Sequence, residues 1–198
     1  MRARSFQRGD DHHGNGWFLA GYGGVAGFFA VEAVARERGR ASNLTADAND
    51  RDSTRLIVVA CVMAATLSPL LRRLPGKLPR GAAPAGLAMQ AAGLGLRTWS
   101  MRSLGESYSR TLLAQADQRV VEEGPYKVVR HPGYLGSLLT WTGFGLSSRS
   151  WPVVAAVTGL VGFAYRHRIA AEEALLRRDL PGYVEYSRHT RRLIPGIW

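Results

Sequence analysis

The chain is short of acid, has one cysteine, and carries almost no charge inside its apolar stretches. Each scarcity excludes something. A single thiol, Cys61, cannot close an intramolecular disulfide, and its place in an apolar run implies no compartment. Asp and Glu number 15 against 26 Lys and Arg, giving a formal net charge of +11 and a pI near 10.8. Such a surplus suits nucleic acid or an anionic membrane surface. Position decides, because the cations lie outside a set of apolar runs, and this favours the membrane and no nucleic-acid partner. Mean hydropathy is only −0.10 because long charged loops dilute the runs. Repeats and low-complexity segments are absent, and 198 residues suffice for one domain, read as a single integral-membrane unit over 1–198.

Five apolar runs are present. Residues 1–15, with Arg2, Arg4, Arg8, Asp10 and Asp11, read as a mobile polar tail; His12-His13 lack the further ligands a metal needs. Trp17–Ala35 is too long for a signal-peptide core and has no convincing cleavage site, so a retained transmembrane helix is expected. Gly23 and Gly27 form a small-xxx-small pair suited to close helix contact, and Glu32 sits where it can snorkel to the interface. Residues 36–55 read as a polar loop. Leu56–Leu71 is a slightly short second span, and the Pro- and Gly-rich residues 72–84 form a loop. Ala85–Leu104 is a third span carrying Gln90 and Arg97. A charge there is either functional or snorkels to the nearby loop. Tyr134–Leu146 and Trp151–Tyr165, split by Ser147-Ser148-Arg149-Ser150, suit a tight helical hairpin. After Tyr165 no breaker occurs before Pro181-Gly182, so the fifth helix is expected to project from the membrane as an amphipathic extension, followed by a basic, aromatic tail.

The fold class that follows is all-α, a polytopic membrane protein of about five transmembrane helices. Five spans place loop 36–55, loop 102–130 and the C-terminal tail on one side, with 17 Lys and Arg. The other side receives 8. The positive-inside rule puts the richer side in the cytoplasm.

Glu122–Gly136 organises the rest. Gly124-Pro125 is turn chemistry. Pro132 keeps His131 out of a relaxed helical backbone and is well placed as the first residue of the next helix. Arg130, His131 and Tyr134 then crowd a helix N-terminus, where unpaired N–H groups favour an anion. Two readings stand for this basic, aromatic rim: a site for a charged cofactor, or an interfacial anchor. Downstream, Arg168 and Glu172 are four apart and share a helix face, as an exposed ion pair or as part of a site.

Gly124-Pro-Tyr126-Lys-Val-Val-Arg130-His131-Pro132-Gly133-Tyr134-Leu-Gly136, then Arg168-xxx-Glu172-Glu173, then Tyr183-xx-Tyr186 resemble the isoprenylcysteine carboxyl methyltransferase family, within a wider group that includes the phospholipid methyltransferases. The resemblance covers about residues 85–198. It implies an integral membrane protein with S-adenosylmethionine as cofactor, held on the cytosolic side. By position it puts the cofactor pocket at Gln118, Arg119, Val120, Val121, Tyr126, His131, Pro132, Gly133 and Tyr134. Glu172 closes that pocket, Arg168 faces the methyl acceptor, and Glu173 matters less if it faces solvent. The implied partners are membrane lipid and a lipophilic or lipidated acceptor with a small nucleophile, a carboxylate above all. Gln118–Val121 matches the family stretch only loosely. N-methylation of a phospholipid amine is the sister reading, an NADPH-dependent sterol-reductase-like protein is a second enzyme class, and a membrane scaffold or channel is the non-enzymatic alternative.

Overall fold

The computed structural model describes residues 3–37, 51–104 and 120–194, with the side chains of 3–14, 35–37 and Arg51 left aside. The described residues are helical, without a strand: α1 (Ala3–Glu37), α2 (Arg51–Leu71), α3 (Ala82–Leu104), a 3-10 turn (Gly124–Lys127), α4 (Pro132–Ser147), α5 (Trp151–Asp179) and α6 (Tyr183–His189).

The helix ends follow local chemistry. Pro132 opens α4, with His131 at the N-cap (φ −123°, ψ 56°) giving no side-chain cap. Ser150, extended, precedes α5, whose second residue is Pro152. That helix stops where Pro181 forces Leu180 into extended backbone (φ −106°, ψ 108°). Gly182, at φ 83°, turns the chain into α6, a conformation that costs a residue with a Cβ far more.

Two expectations are corrected. The N-terminal residues read as a polar tail continue α1 back to Ala3, and α2 starts at Arg51 rather than Leu56. The backbone has no proline in either stretch to end the helix earlier. His12 and His13 lie outside the described side chains.

Packing is set by a glycine seam. On α3, Gly86 and Gly93 face Gly143 and Gly136 of α4, an antiparallel register repeating every seven residues on each helix. A Cβ on Gly93 would stand 2.5 Å from the Gly136 carbonyl oxygen, and one on Gly86 2.5 Å from that of Gly143. The backbones therefore touch, and only glycine permits it. Against this pair lies α1. The glycines in close contact there are Gly21 and Gly24, with Gln90 Nε2 donating to the Gly21 carbonyl at 3.0 Å; Gly23 faces open space. Of the Gly23–Gly27 pair expected from spacing, a Cβ on Gly27 would meet Leu94 of α3 at 3.6 Å and Gly23 does not take part. Phe18 and Val25 of α1, Cys61 and Ala64 of α2, Trp141 and Phe144 of α4, and Val153, Val157, Val161 and Tyr165 of α5 close the apolar core.

The outside of this bundle is apolar too. Val58, Val59, Val62, Met63 and Leu70 are exposed along α2, as are Leu19 and Phe29 on α1. Segments Asn15–Val34 and Asp52–Leu71 are long and apolar enough to cross a membrane, and only 22% of each is buried. A soluble protein's core helix would be mostly covered, whereas these present their side chains outward.

Arg97 and Glu32 meet inside the bundle instead of snorkelling. The Arg97 guanidinium contacts Glu32 Oε1 at 2.5–2.6 Å and stands over the Phe28 ring. It also donates to the Gly133 carbonyl at 2.9 Å and Ser137 Oγ at 2.6 Å. One buried cation thereby fastens α1 and α3 to the first turn of α4.

Candidate active site

That first turn carries His131 and Tyr134, and α5 brings Arg168, Glu172 and Glu173 opposite. Residues 168, 172 and 173 are all buried, so the ion pair expected at i,i+4 is not on the surface. They form two adjoining layers.

In the first layer, Tyr134 is the centre. Its hydroxyl donates to Glu172 Oε2 at 2.6 Å and accepts from Arg168 Nε at 3.2 Å. Arg168 Nε and Glu172 Oε2 are 3.9 Å apart. Arg168 Nη1 donates to Ser53 Oγ of α2 at 3.0 Å. The Tyr134 ring stacks on His131 (centroids 5.7 Å apart) and lies tilted against Tyr165 (5.2 Å).

In the second layer, Glu173 is the hub, not a solvent-facing bystander. Arg130 Nε and Nη2 reach its Oε1 at 2.9 and 2.8 Å, and His131 Nε2 lies 3.3 Å from the same oxygen. Arg192 Nε and Nη2 take Oε2 at 3.1 and 2.9 Å, with Arg177 at 3.6 Å. Burial pushes this carboxyl up. The hydrogen bonds and charges of His131 and Arg130 outweigh it and hold the group well below the usual carboxylate range.

Arg130 is therefore committed. It also donates to the carbonyls of Ser187 (3.1 Å) and Thr190. The backbone repeats the link, with Arg130 N–H on the Arg191 carbonyl at 2.8 Å and His131 N–H on that of Arg192 at 3.1 Å. The expected anion rim at the α4 mouth is in part a staple for the tail. Tyr186 adds a bond from its hydroxyl to the Tyr126 carbonyl at 2.6 Å, which ties α6 to the 3-10 turn. Beside this staple a cavity of about 490 Å³ is lined by Arg130 and residues 187–192.

Among the expected pocket residues, His131, Tyr134 and Glu172 come together, while Tyr126 meets Tyr186 through its carbonyl and Gly133, after Pro132 at the start of α4, meets Arg97. Val120 packs on the small Leu176–Tyr183–Tyr186 cluster and Val121 follows it, while Gln118 and Arg119 lie outside the described residues. Tyr183, buried at 4% exposure, has a hydroxyl with no hydrogen-bond partner, and burial pushes its phenol up, so it stays a donor. Ser53 is not singled out by the sequence, and Arg192, in the basic tail, is given no role there; each meets the site only through tertiary packing.

Residues 86–178 match the isoprenylcysteine carboxyl methyltransferase (ICMT) family. The chain is also similar to the cobalt-zinc-cadmium resistance protein CzcN of Cupriavidus metallidurans, 28% identical over 52% of this chain and 49% of the relative. Similar too is the nickel-cobalt-cadmium resistance protein NccN of Alcaligenes xylosoxydans xylosoxydans, 30% identical over 39% of this chain and 37% of the relative. The chain thus spans half or less of these curated relatives. The ICMT match takes in most of α3, all of α4 and nearly all of α5. Glu32, Ser53 and Arg192 reach the matched region from outside it.

Proposed function

We propose that this chain is a membrane methyltransferase that uses S-adenosylmethionine to methylate a carboxylate on a lipophilic, isoprenylcysteine-like acceptor, with its catalytic face in the cytoplasm. The observation that carries this is the buried Glu172–Tyr134–Arg168 arrangement, which offers a carboxylate and a guanidinium to two different ligands. The match of residues 86–178 to the ICMT family supports the reaction class. The metal-resistance names of the relatives specify neither a cofactor nor an acceptor.

The residues fit the cofactor. When bound, S-adenosylmethionine supplies an electrophilic methyl on a sulfonium. Glu172 suits ribose hydroxyls or an ammonium, and the unpartnered buried hydroxyl of Tyr183 is a donor in need of an acceptor. His131 and Tyr134 present aromatic faces to an adenine or a cation. Arg168 holds the acceptor carboxylate by paired hydrogen bonds. That carboxylate is already ionised near neutral pH, so no strong base is required, and orientation supplies most of the acceleration. The apolar flanks of α2 and α5 suit a lipid-borne acceptor arriving sideways, while the cofactor comes from the charged, tail side.

The test is direct. Purified protein in lipid receives labelled S-adenosylmethionine and either an S-prenylated cysteine or a phospholipid extract. Base-stable label in phospholipid, with a rate that rises as an amine loses its proton, would replace the carboxylate by an amine acceptor. Binding of NADPH in place of S-adenosylmethionine would overturn the reading.

A further inference from the structure

Arg168 has a partner that belongs to none of the motif-bearing helices. Ser53 lies in the first turns of α2, in the polar Arg51-Asp52-Ser53-Thr54-Arg55 stretch before the apolar run. It is 3% exposed and receives Arg168 Nη1 at 3.0 Å across 115 residues of sequence. On its other edge the same guanidinium donates from Nε to Tyr134 at 3.2 Å. Two bonds in different directions fix the plane of a rigid, planar group, which one bond leaves free to rotate. A carboxylate is met well only by a fork whose plane is already set.

We infer that Ser53 is a positioning residue for Arg168, so that α2, outside the ICMT match, bounds the methyl-acceptor side of the site. This rests on the methyltransferase reading above. It adds that acceptor use is set in part by the N-terminal half of the chain. On the cofactor side, the Tyr134–Glu172 contact joins α4 to α5. Loss of the Ser53 hydroxyl therefore reaches the acceptor and not the cofactor.

The experiment uses the full chain in lipid, with S-adenosylmethionine affinity from calorimetry and initial rates on an S-prenylated cysteine. Ser53→Ala is expected to lower kcat/KM for the acceptor by about tenfold, the effect of one hydrogen bond to a charged group, with cofactor affinity unchanged. Ser53→Thr, which keeps the hydroxyl, should recover most of it. In an Arg168→Lys background, where no planar fork remains, Ser53→Ala should cost nothing further. Wild-type kcat/KM in Ser53→Ala would overturn the inference while leaving the methyltransferase reading intact. So would equal losses of acceptor and cofactor, or multiplying losses with Arg168→Lys. A wild type that binds no S-adenosylmethionine, or binds it and leaves the prenylated cysteine unmethylated, would overturn the parent reading and this inference together.

Discussion

Glu172 and Glu173 are neighbours on one helix, yet their surroundings are opposite. Glu173 has both oxygens taken, Oε1 by Arg130 and His131 and Oε2 by Arg192 with Arg177 nearby. Glu172 meets one phenol at 2.6 Å and one guanidinium at 3.9 Å. A carboxylate saturated by cations has nothing to offer a ligand and is expensive to disturb. One held by a tyrosine that also serves Arg168 can exchange partners. Burial alone does not separate the two, since both side chains are nearly covered. Spare hydrogen-bonding capacity does. The layer around Glu173 locks the tail to α4 and α5, and the layer around Glu172 keeps the spare hydrogen-bonding capacity that a ligand would need.

The largest effect that can break this comparison is on stability. Glu173→Gln leaves two to three guanidiniums in a buried site without their anion, and should cost about 3–5 kcal/mol. Thermal unfolding in lipid or detergent measures it, and protease cleavage near residue 190 should accelerate as the tail lets go. A loss below about 1 kcal/mol would mean Glu173 is no hub.

The same hub carries a pH signature. Because the folded carboxyl is held below its ordinary value, its contribution is complete above the unfolded value near 4.3. It declines below that pH and is gone once the folded carboxyl is protonated. The stability gap between wild type and Glu173→Gln should therefore stay constant from pH 7 to about pH 5 and shrink only in stronger acid. A gap that closes by pH 6 would show that Glu173 is not the group responsible.

Next in size is Arg168→Ala. Loss of acceptor orientation should lower turnover by about a hundredfold, or 2.7 kcal/mol, with S-adenosylmethionine affinity nearly intact. Arg168→Lys should recover only part. Glu172→Gln should do the reverse, raising the cofactor dissociation constant about tenfold for each 1.4 kcal/mol lost while stability moves little. Calorimetry and initial rates on both variants decide. Identical losses of cofactor affinity would merge the two layers.

What could be read ahead of the structure was whatever local chemistry controls. Pro132 announced the start of α4 and Pro181-Gly182 the end of α5, and the Arg-His-Pro-x-Tyr and Glu-Glu elements that the sequence singles out do face each other. What could not be read depends on which faces meet. Gly23–Gly27 and Gly21–Gly24 are equally plausible contact stripes until α3 and α4 are in place. Glu32 and Arg97 each look able to snorkel until α1 and α3 are set side by side. Whether Glu173 faces solvent could not be read, because Arg192, which holds its Oε2, arrives from a tail with no helical period to follow. Ser53 was hidden for the same reason, one hydroxyl in a stretch that reads as loop.

The smallest effect is the sharpest check on saturation. Arg177 also approaches Glu173 Oε2, at 3.6 Å, from the next turn of α5, but its side chain is 48% exposed. Water already screens that pair, and Arg192 holds the same oxygen at 2.9 Å. Arg177→Ala should therefore cost about 0.5 kcal/mol or less and leave both rates and cofactor affinity unchanged. Arg192→Ala, which removes the nearer partner, should cost several times more in the same melt. In the double variant the two losses should exceed their sum, because Oε2 is then left with neither cation. Strict additivity would show that Arg177 never serves as reserve for Arg192. A larger loss for Arg177→Ala than for Arg192→Ala would invert the ranking of partners at Glu173, and with it the picture of a hub built chiefly to hold the tail.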